Sequence, residues 1–207
     1  NPENTAYGLD FSDRLLSGDR PEEAVDVLKK VIRFDRNSKI AYRKLAQAYS
    51  EIDDLENASM VYENLLKLDP RDLYIIIQTS KLYIELQNFR KALLWADKAI
   101  QVSKSSGQGF GQKGNVYYKA FQSCRSTDIT NDDRIVASLA YKYFQLAEEN
   151  NYTHYSGSAA WLKENETLFS RSNWFMIDPD KQSKGYLLPE TACYNWVEER
   201  LKKDPTW

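Results

Sequence analysis

Apolar positions in this chain follow a helical spacing within short segments, and the segments themselves recur every 34 residues. Ala24, Ala58 and Ala92 stand at that interval, and Tyr49 and Tyr83 keep it too. Written in units of this length, one column reads Ser12, Ala46, Ser80 and Gly114, all small. Another reads Leu15, Tyr49, Tyr83 and Tyr117, large and mostly aromatic. The alanine column precedes Leu28, Tyr62 and Ala96, then Val31, Leu65 and Ala99. Such a period is one helix–turn–helix, which cannot bury its apolar face alone and therefore stacks on its neighbours.

The pattern predicts hairpins over Thr5–Ser17 with Pro21–Phe34, Lys39–Glu51 with Asp54–Leu68, and Leu73–Leu86 with Phe89–Ser103. Residues 1–4 form a frayed lead-in. Gly18 is free to take the positive φ that ends a helix, and Asp19 with Glu22 and Asp53 with Glu56 match a capping box repeated 34 residues on. Asn88 is the expected cap of its helix. The fourth unit is longer. Ala92 to Ala140 is 48 residues, about 14 more than one period, and the polar stretch Arg125–Asp132 reads as an inserted loop between two lengthened helices. Farther on, Ser158–Phe169 can form a helix and Ser170–Leu188 reads as irregular. Pro189 should start a last helix striped by Cys193, Trp196, Val197 and Leu201.

These small, aromatic, alanine and large-apolar columns, with Pro70 closing its unit, resemble the tetratricopeptide repeat (TPR) family. The resemblance implies an all-α, right-handed helical solenoid of about four hairpins closed by an irregular helical C-terminal cap. The array would span residues 5–150, with units near 5–38, 39–72, 73–106 and 107–154 and an insertion near 125–132; the cap would be 155–207. The run Cys193-Tyr194-Asn195-Trp196 is also similar to the tails of some bacterial TPR proteins, which fits an exported type.

In the TPR family the first helix of each hairpin lines a concave face, and positions 2, 5, 9 and 12 share that side. The resemblance thus points to Arg43, Gln47, Tyr74, Ile77, Gln78, Lys81, Ile84, Gln108, Asn115 and Tyr118 as a groove for a protein or peptide partner. It is polar and basic at Arg43, Gln47, Lys81 and Asn115 and apolar at Tyr74, Ile77 and Ile84, a mixture suited to a segment with apolar anchors and a carboxylate. Family members that clamp chaperone carboxylates carry lysine and asparagine at positions 5 and 9 of the opening unit. Leu9 and Asp13 stand there, so that route is not expected. The opposing reading is a solvated face, or one filled by the protein's own aromatic tail.

Composition narrows the rest. Of 207 residues 42% are hydrophobic and 28% charged, as a folded protein requires, and the net charge of −2 gives no general reason to bind nucleic acid. No apolar run reaches the ~20 residues of a membrane helix, so no membrane insertion is expected. A soluble protein follows; a cleaved export signal before Asn1 and a trimmed chain would look alike. Cys124 and Cys193, the two cysteines, are 69 positions apart, and a bridge forms only if the fold joins them. Two buried thiols are the favoured reading.

Three features look like chemistry. Gly109, Gly111 and Gly114 spell the dinucleotide fingerprint, but a repeat helix precedes them where a strand would be needed, and Gly114 already fills the small column. His154 is the single histidine, poor material for a metal site or a triad. The carboxylates fall mainly at caps and solvated faces. We therefore expect no cofactor and no catalysis. The function class expected is a non-catalytic scaffold or adaptor. A structural spacer or self-assembly domain of a larger envelope or secretion complex is the alternative, with self-association allowed. An enzyme whose site lies in the insertion and tail ranks below both.

Overall fold

A computed structural model describes residues 5–207, so the lead-in at residues 1–4 lies outside the described residues. The described residues are all-α apart from one small ribbon. The helices are α1 (Thr5–Ser17), α2 (Pro21–Phe34), α3 (Lys39–Glu51), α4 (Leu55–Leu68), α5 (Leu73–Glu85), α6 (Phe89–Val102), α7 (Gly107–Cys124), α8 (Asn131–Glu149), α9 (Ser156–Glu164), α10 (Arg171–Met176) and α11 (Pro179–Ser183). Strands β1 (Tyr186–Leu187) and β2 (Leu201–Lys202) pair antiparallel. The described residues form two compact units, divided between Leu86 and Gln87.

In the first unit the repeat columns are the core. Ala24, Ala58, Ala41, Ala46 and Ala48 are fully buried, and Leu28, Val31, Leu45 and Tyr49 close around them. Small residues sit where helix backbones approach. Ser12 is buried there with its hydroxyl donating to the Leu9 carbonyl at 2.7 Å. Burying these faces is the main term holding the hairpins together, at about 25 cal/mol per Å² of apolar surface removed from water.

The turns differ from expectation by one residue. The positive-φ residue is Asp19 rather than Gly18, at φ 56°, and Asp53 and Gln87 repeat it at 58° and 54°, again 34 apart. The amide after it bonds five residues back, Arg20 to Leu15 and Asp54 to Tyr49, both at 2.9 Å, which ties off the helix end. Asp19 and Asp53 therefore end one helix instead of capping the next. Arg20 precedes α2 with no side-chain cap, while Asp54 caps α4 through the Asn57 amide. Asn88 caps α6 as expected.

In the second unit the glycines of α7 make room for neighbours. A β-carbon on Gly109 would stand 2.8 Å from the Ile100 backbone nitrogen, and one on Gly114 would stand 2.6 Å from the Phe144 ring. The fingerprint thus lies inside a helix, spent on packing. Residues 125–130 join α7 to α8, and Thr130 with Asp133 forms a capping box at the start of α8.

Beyond α8 the chain departs most from expectation. Helix α9 ends at Glu164 in the same kind of turn, with Glu166 at φ 53° and the Thr167 amide bonded to Leu162. The stretch expected to be irregular holds α10 and α11. The expected last helix is absent: after Pro189 there is a single 3-10 turn, Ala192–Tyr194, then extended chain into β2. The apolar stripe is real, but its members are drawn to different partners, so no common helix face forms. The cysteines also differ from the favoured reading. Cys124, at the end of α7, is bridged to Cys193, with Cα atoms 6.0 Å apart.

Candidate functional site

Each unit presents its share of the expected groove residues separately. In the first, Arg43 and Gln47 are exposed on α3, and α5 carries Tyr74, 63% exposed, followed by half-buried Ile77, Gln78, Lys81 and Ile84. Between α3, α4 and the start of α5 lies a pocket of about 480 Å³. Of the expected residues, Arg43, Gln47 and Tyr74 line it; the rest of α5's groove positions do not. Ile40, Lys44, Ser50, Tyr62 and Ile75 complete the wall.

Helix geometry places these groups. Ile40 and Tyr74 hold the same repeat position one unit apart, and both are more than half exposed, so two apolar side chains flank the mouth. Arg43 and Gln47 follow on α3 at helical spacing of four, and Tyr62 reaches in from α4. Tyr62 was missed because the sequence reading sought the surface on first helices only. Its column did carry a signal: between Leu28 and Ala96 it is the member with a polar tip. Burial raises the Tyr62 pKa, as does Tyr74, while the Arg43 charge opposes them.

The basic residues of α3 are not idle. Arg43 pairs with Asp72 at 2.5 Å, Lys39 with Asp69 at 2.8 Å, and Lys44 with Asp13 of α1. Asp72 also caps α5 through the Ile75 amide. The Lys39–Asp69 pair faces solvent and contributes about 0–1 kcal/mol, whereas Asp72 is largely covered; the Arg43 guanidinium stays about half exposed, so an incoming carboxylate can share it without displacing Asp72. The site offers an apolar mouth, a guanidinium on the wall, and amide and hydroxyl groups from Gln47, Ser50 and Tyr62.

In the second unit the expected residues are more enclosed. Gln108 is exposed, whereas Asn115 and Tyr118 are half-buried. The Tyr118 ring meets Phe144 and Trp161 edge-on at 6.0 and 6.3 Å, and Tyr152 and Tyr155 lie over Gly111. Side chains of α9 and the loop before it thus occupy much of this face.

The opposite side of α7 carries a polar cluster that the sequence reading did not anticipate. Glu199 accepts hydrogen bonds from the Tyr143 hydroxyl and the Lys142 ammonium at 2.8 Å and from the Tyr117 hydroxyl at 3.2 Å. Lys113 bridges it at 3.0 Å and Asp97 at 2.8 Å. Burial works against the Glu199 charge, yet the bond from Lys142, the Lys113 charge and the Tyr143 hydroxyl outweigh it, so its pKa lies below the ordinary range. Burial opposes the Lys113 charge as well, but Asp97 and Glu199 hold its pKa well above normal. Next to this cluster Trp196 lies between the rings of Phe89 and Tyr117, at 5.8 and 5.9 Å.

The chain's hairpins have counterparts among known proteins. The tetratricopeptide repeat family matches residues 41–72. The MamA protein is similar at 21% identity, over 72% of this chain and 74% of that one, with a TM-score of 0.58. YrrB, described as a TPR protein with an unusual peptide-binding site, aligns at 15% identity over 80% and 79%, with a TM-score of 0.56. PilF of Pseudomonas aeruginosa aligns at 19% identity over 87% and 76%, also at 0.56. These likenesses show the fold, which is all-α and of the TPR helical-solenoid class. No curated protein matches the chain by sequence. No described helix is long and apolar enough to cross a membrane.

Proposed function

We propose that this chain, a TPR protein by fold, is a non-catalytic scaffold that holds a protein or peptide segment at the pocket between α3, α4 and α5. The observation that carries the reading is the pocket itself. First-helix positions of two consecutive hairpins, Ile40 with Arg43 and Gln47 from one and Tyr74 from the next, converge on it with Tyr62 between them. That arrangement suits a segment placing one apolar side chain between Ile40 and Tyr74 and a carboxylate near Arg43. The peptide-binding site described for YrrB, on a similar fold, supports this use of the surface. Ile77, Gln78, Lys81 and Ile84 extend the contact along α5. The Cys124–Cys193 bridge favours an oxidising compartment, where disulfides persist, in agreement with an exported protein.

Peptides selected from a random display library on the immobilised chain test the proposal. Their affinity should fall about tenfold or more with Tyr74→Ala, with little dependence on salt. Arg43→Glu should also weaken acidic peptides, and raising the salt should reduce that difference, because exposed charges are screened beyond about 10 Å at 0.1 M. Peptides that bind equally well to both variants would move the binding surface elsewhere.

A further inference from the structure

The segment after Pro189 is held as a bound peptide is held, through side-chain anchors at short intervals and with almost no secondary structure of its own. The Asp132 carboxylate accepts from the backbone amides of Glu190 and Thr191 at 2.9 and 2.8 Å. The buried Tyr194 hydroxyl donates to Asp133 at 2.6 Å. Trp196, 7% exposed, fills the aromatic slot between Phe89 of α6 and Tyr117 of α7. Three residues on, the Glu199 carboxylate enters the basket of Lys113, Lys142, Tyr117 and Tyr143. Asn195 and Glu198, between the anchors, face outward. Aromatic stacking fixes one anchor, charge-assisted bonds fix the other, and their spacing sets the register.

We propose that this face of α6, α7 and α8 is a second peptide-recognition site, occupied in cis by the chain's own tail. Its ligand is a protein segment bearing an aromatic residue and, three positions later, a carboxylate. The site is distinct from the pocket of the first unit. The tail is a tethered competitor: attachment gives it an effective concentration in the millimolar range, which a free segment seldom matches. The Cys124–Cys193 bridge shortens that tether, because it fastens the chain one residue before Tyr194. The bridge is therefore a latch, and an external segment gains access when the tail is loosened.

The probe is a fluorescent synthetic peptide with the sequence of residues 190–203 and Cys193→Ser. It is titrated into three full-length chains: the bridged wild type, a Cys124→Ser/Cys193→Ser chain, and a bridged Trp196→Ala/Glu199→Gln chain. The expected result is binding at least about tenfold tighter to both altered chains than to wild type. A peptide that itself carries Trp196→Ala or Glu199→Gln should lose that advantage, as should adding Lys142→Ala and Tyr143→Phe to the Trp196→Ala/Glu199→Gln chain. Helical circular dichroism establishes that each chain is folded. If the cysteine variant loses helix, the bridged chain decides. A dimer of the cysteine variant that dissolves on adding peptide would identify a second copy's tail as an occupant of the same site. Equal affinity for all three chains, or no binding to a folded Trp196→Ala/Glu199→Gln chain, overturns the proposal.

Discussion

Glycine substitutions separate packing from propensity at single residues. A methyl group at Gly109 would press on the backbone of α6, which cannot turn aside as a side chain can. Gly109→Ala should therefore destabilise by ~1–3 kcal/mol, even though alanine is the better helix former. Gly157 in α9 has nothing within 4 Å of the same position, so Gly157→Ala should stabilise by about 0.4–1 kcal/mol. Urea unfolding of both variants checks the pair; two shifts of the same sign would refute the packing account. At this scale the sequence was read well where residue size carried the message, as at Ser12, Ala46, Ser80 and Gly114. It was read poorly where backbone angle did, since Asp19 takes the left-handed conformation beside a glycine that does not need it.

Among the elements, the first eight helices were legible because every repeat column is corroborated by the same column one unit away. The tail has no such second copy. Cys193, Trp196, Val197 and Leu201 are spaced as one helix face would be, but a bridge, an aromatic slot and a two-stranded ribbon each claim one part of the run. The partners of Glu199 lie 56 to 86 positions away, from Tyr143 to Lys113, a separation that no local pattern reports. Docking of this element should depend on pH in a definite direction. The folded pKa of Glu199 is depressed, so its contribution is fully present above the ordinary value of 4.5 and is lost as pH falls through the lower folded value. Lys113 and Tyr143 are raised, Tyr143 to about 12, so their contributions are present below about pH 10 and are lost as pH rises through the folded values. Trp196 fluorescence, followed through Trp196 as the only tryptophan after phenylalanine replacement of the others, should show a plateau between these limits. A transition near neutral pH would contradict the assignment. Tyr194→Phe should cost about 1–3 kcal/mol, because it leaves one oxygen of the buried Asp133 without its donor.

Across the whole molecule, the two units share a repeat grammar but use their surfaces differently. In the first unit a first-helix face is open around Ile40 and Tyr74. In the second the corresponding face is lined with Trp161, Tyr152 and Tyr155, and the far side of α7 is taken by the tail. The surface class was legible in the columns; which parts of it are open was not, because that depends on chain returning from beyond the repeats. Loss of the bridge should lower unfolding stability by about 4 kcal/mol on the chain-entropy account for a closure of 69 residues, measurable as a lower urea midpoint of Cys124→Ser/Cys193→Ser. The same closure also decides how the protein carries load. Tension applied at Trp207 first peels away the non-covalent anchors at β2, Glu199 and Trp196; from Cys193 it passes directly to Cys124, so the intervening chain is bypassed and cannot pay out. Stretched by its ends in an optical trap, the bridged protein should lengthen by roughly 230 Å less than the reduced one, at about 3.4 Å for each of the 69 residues withheld.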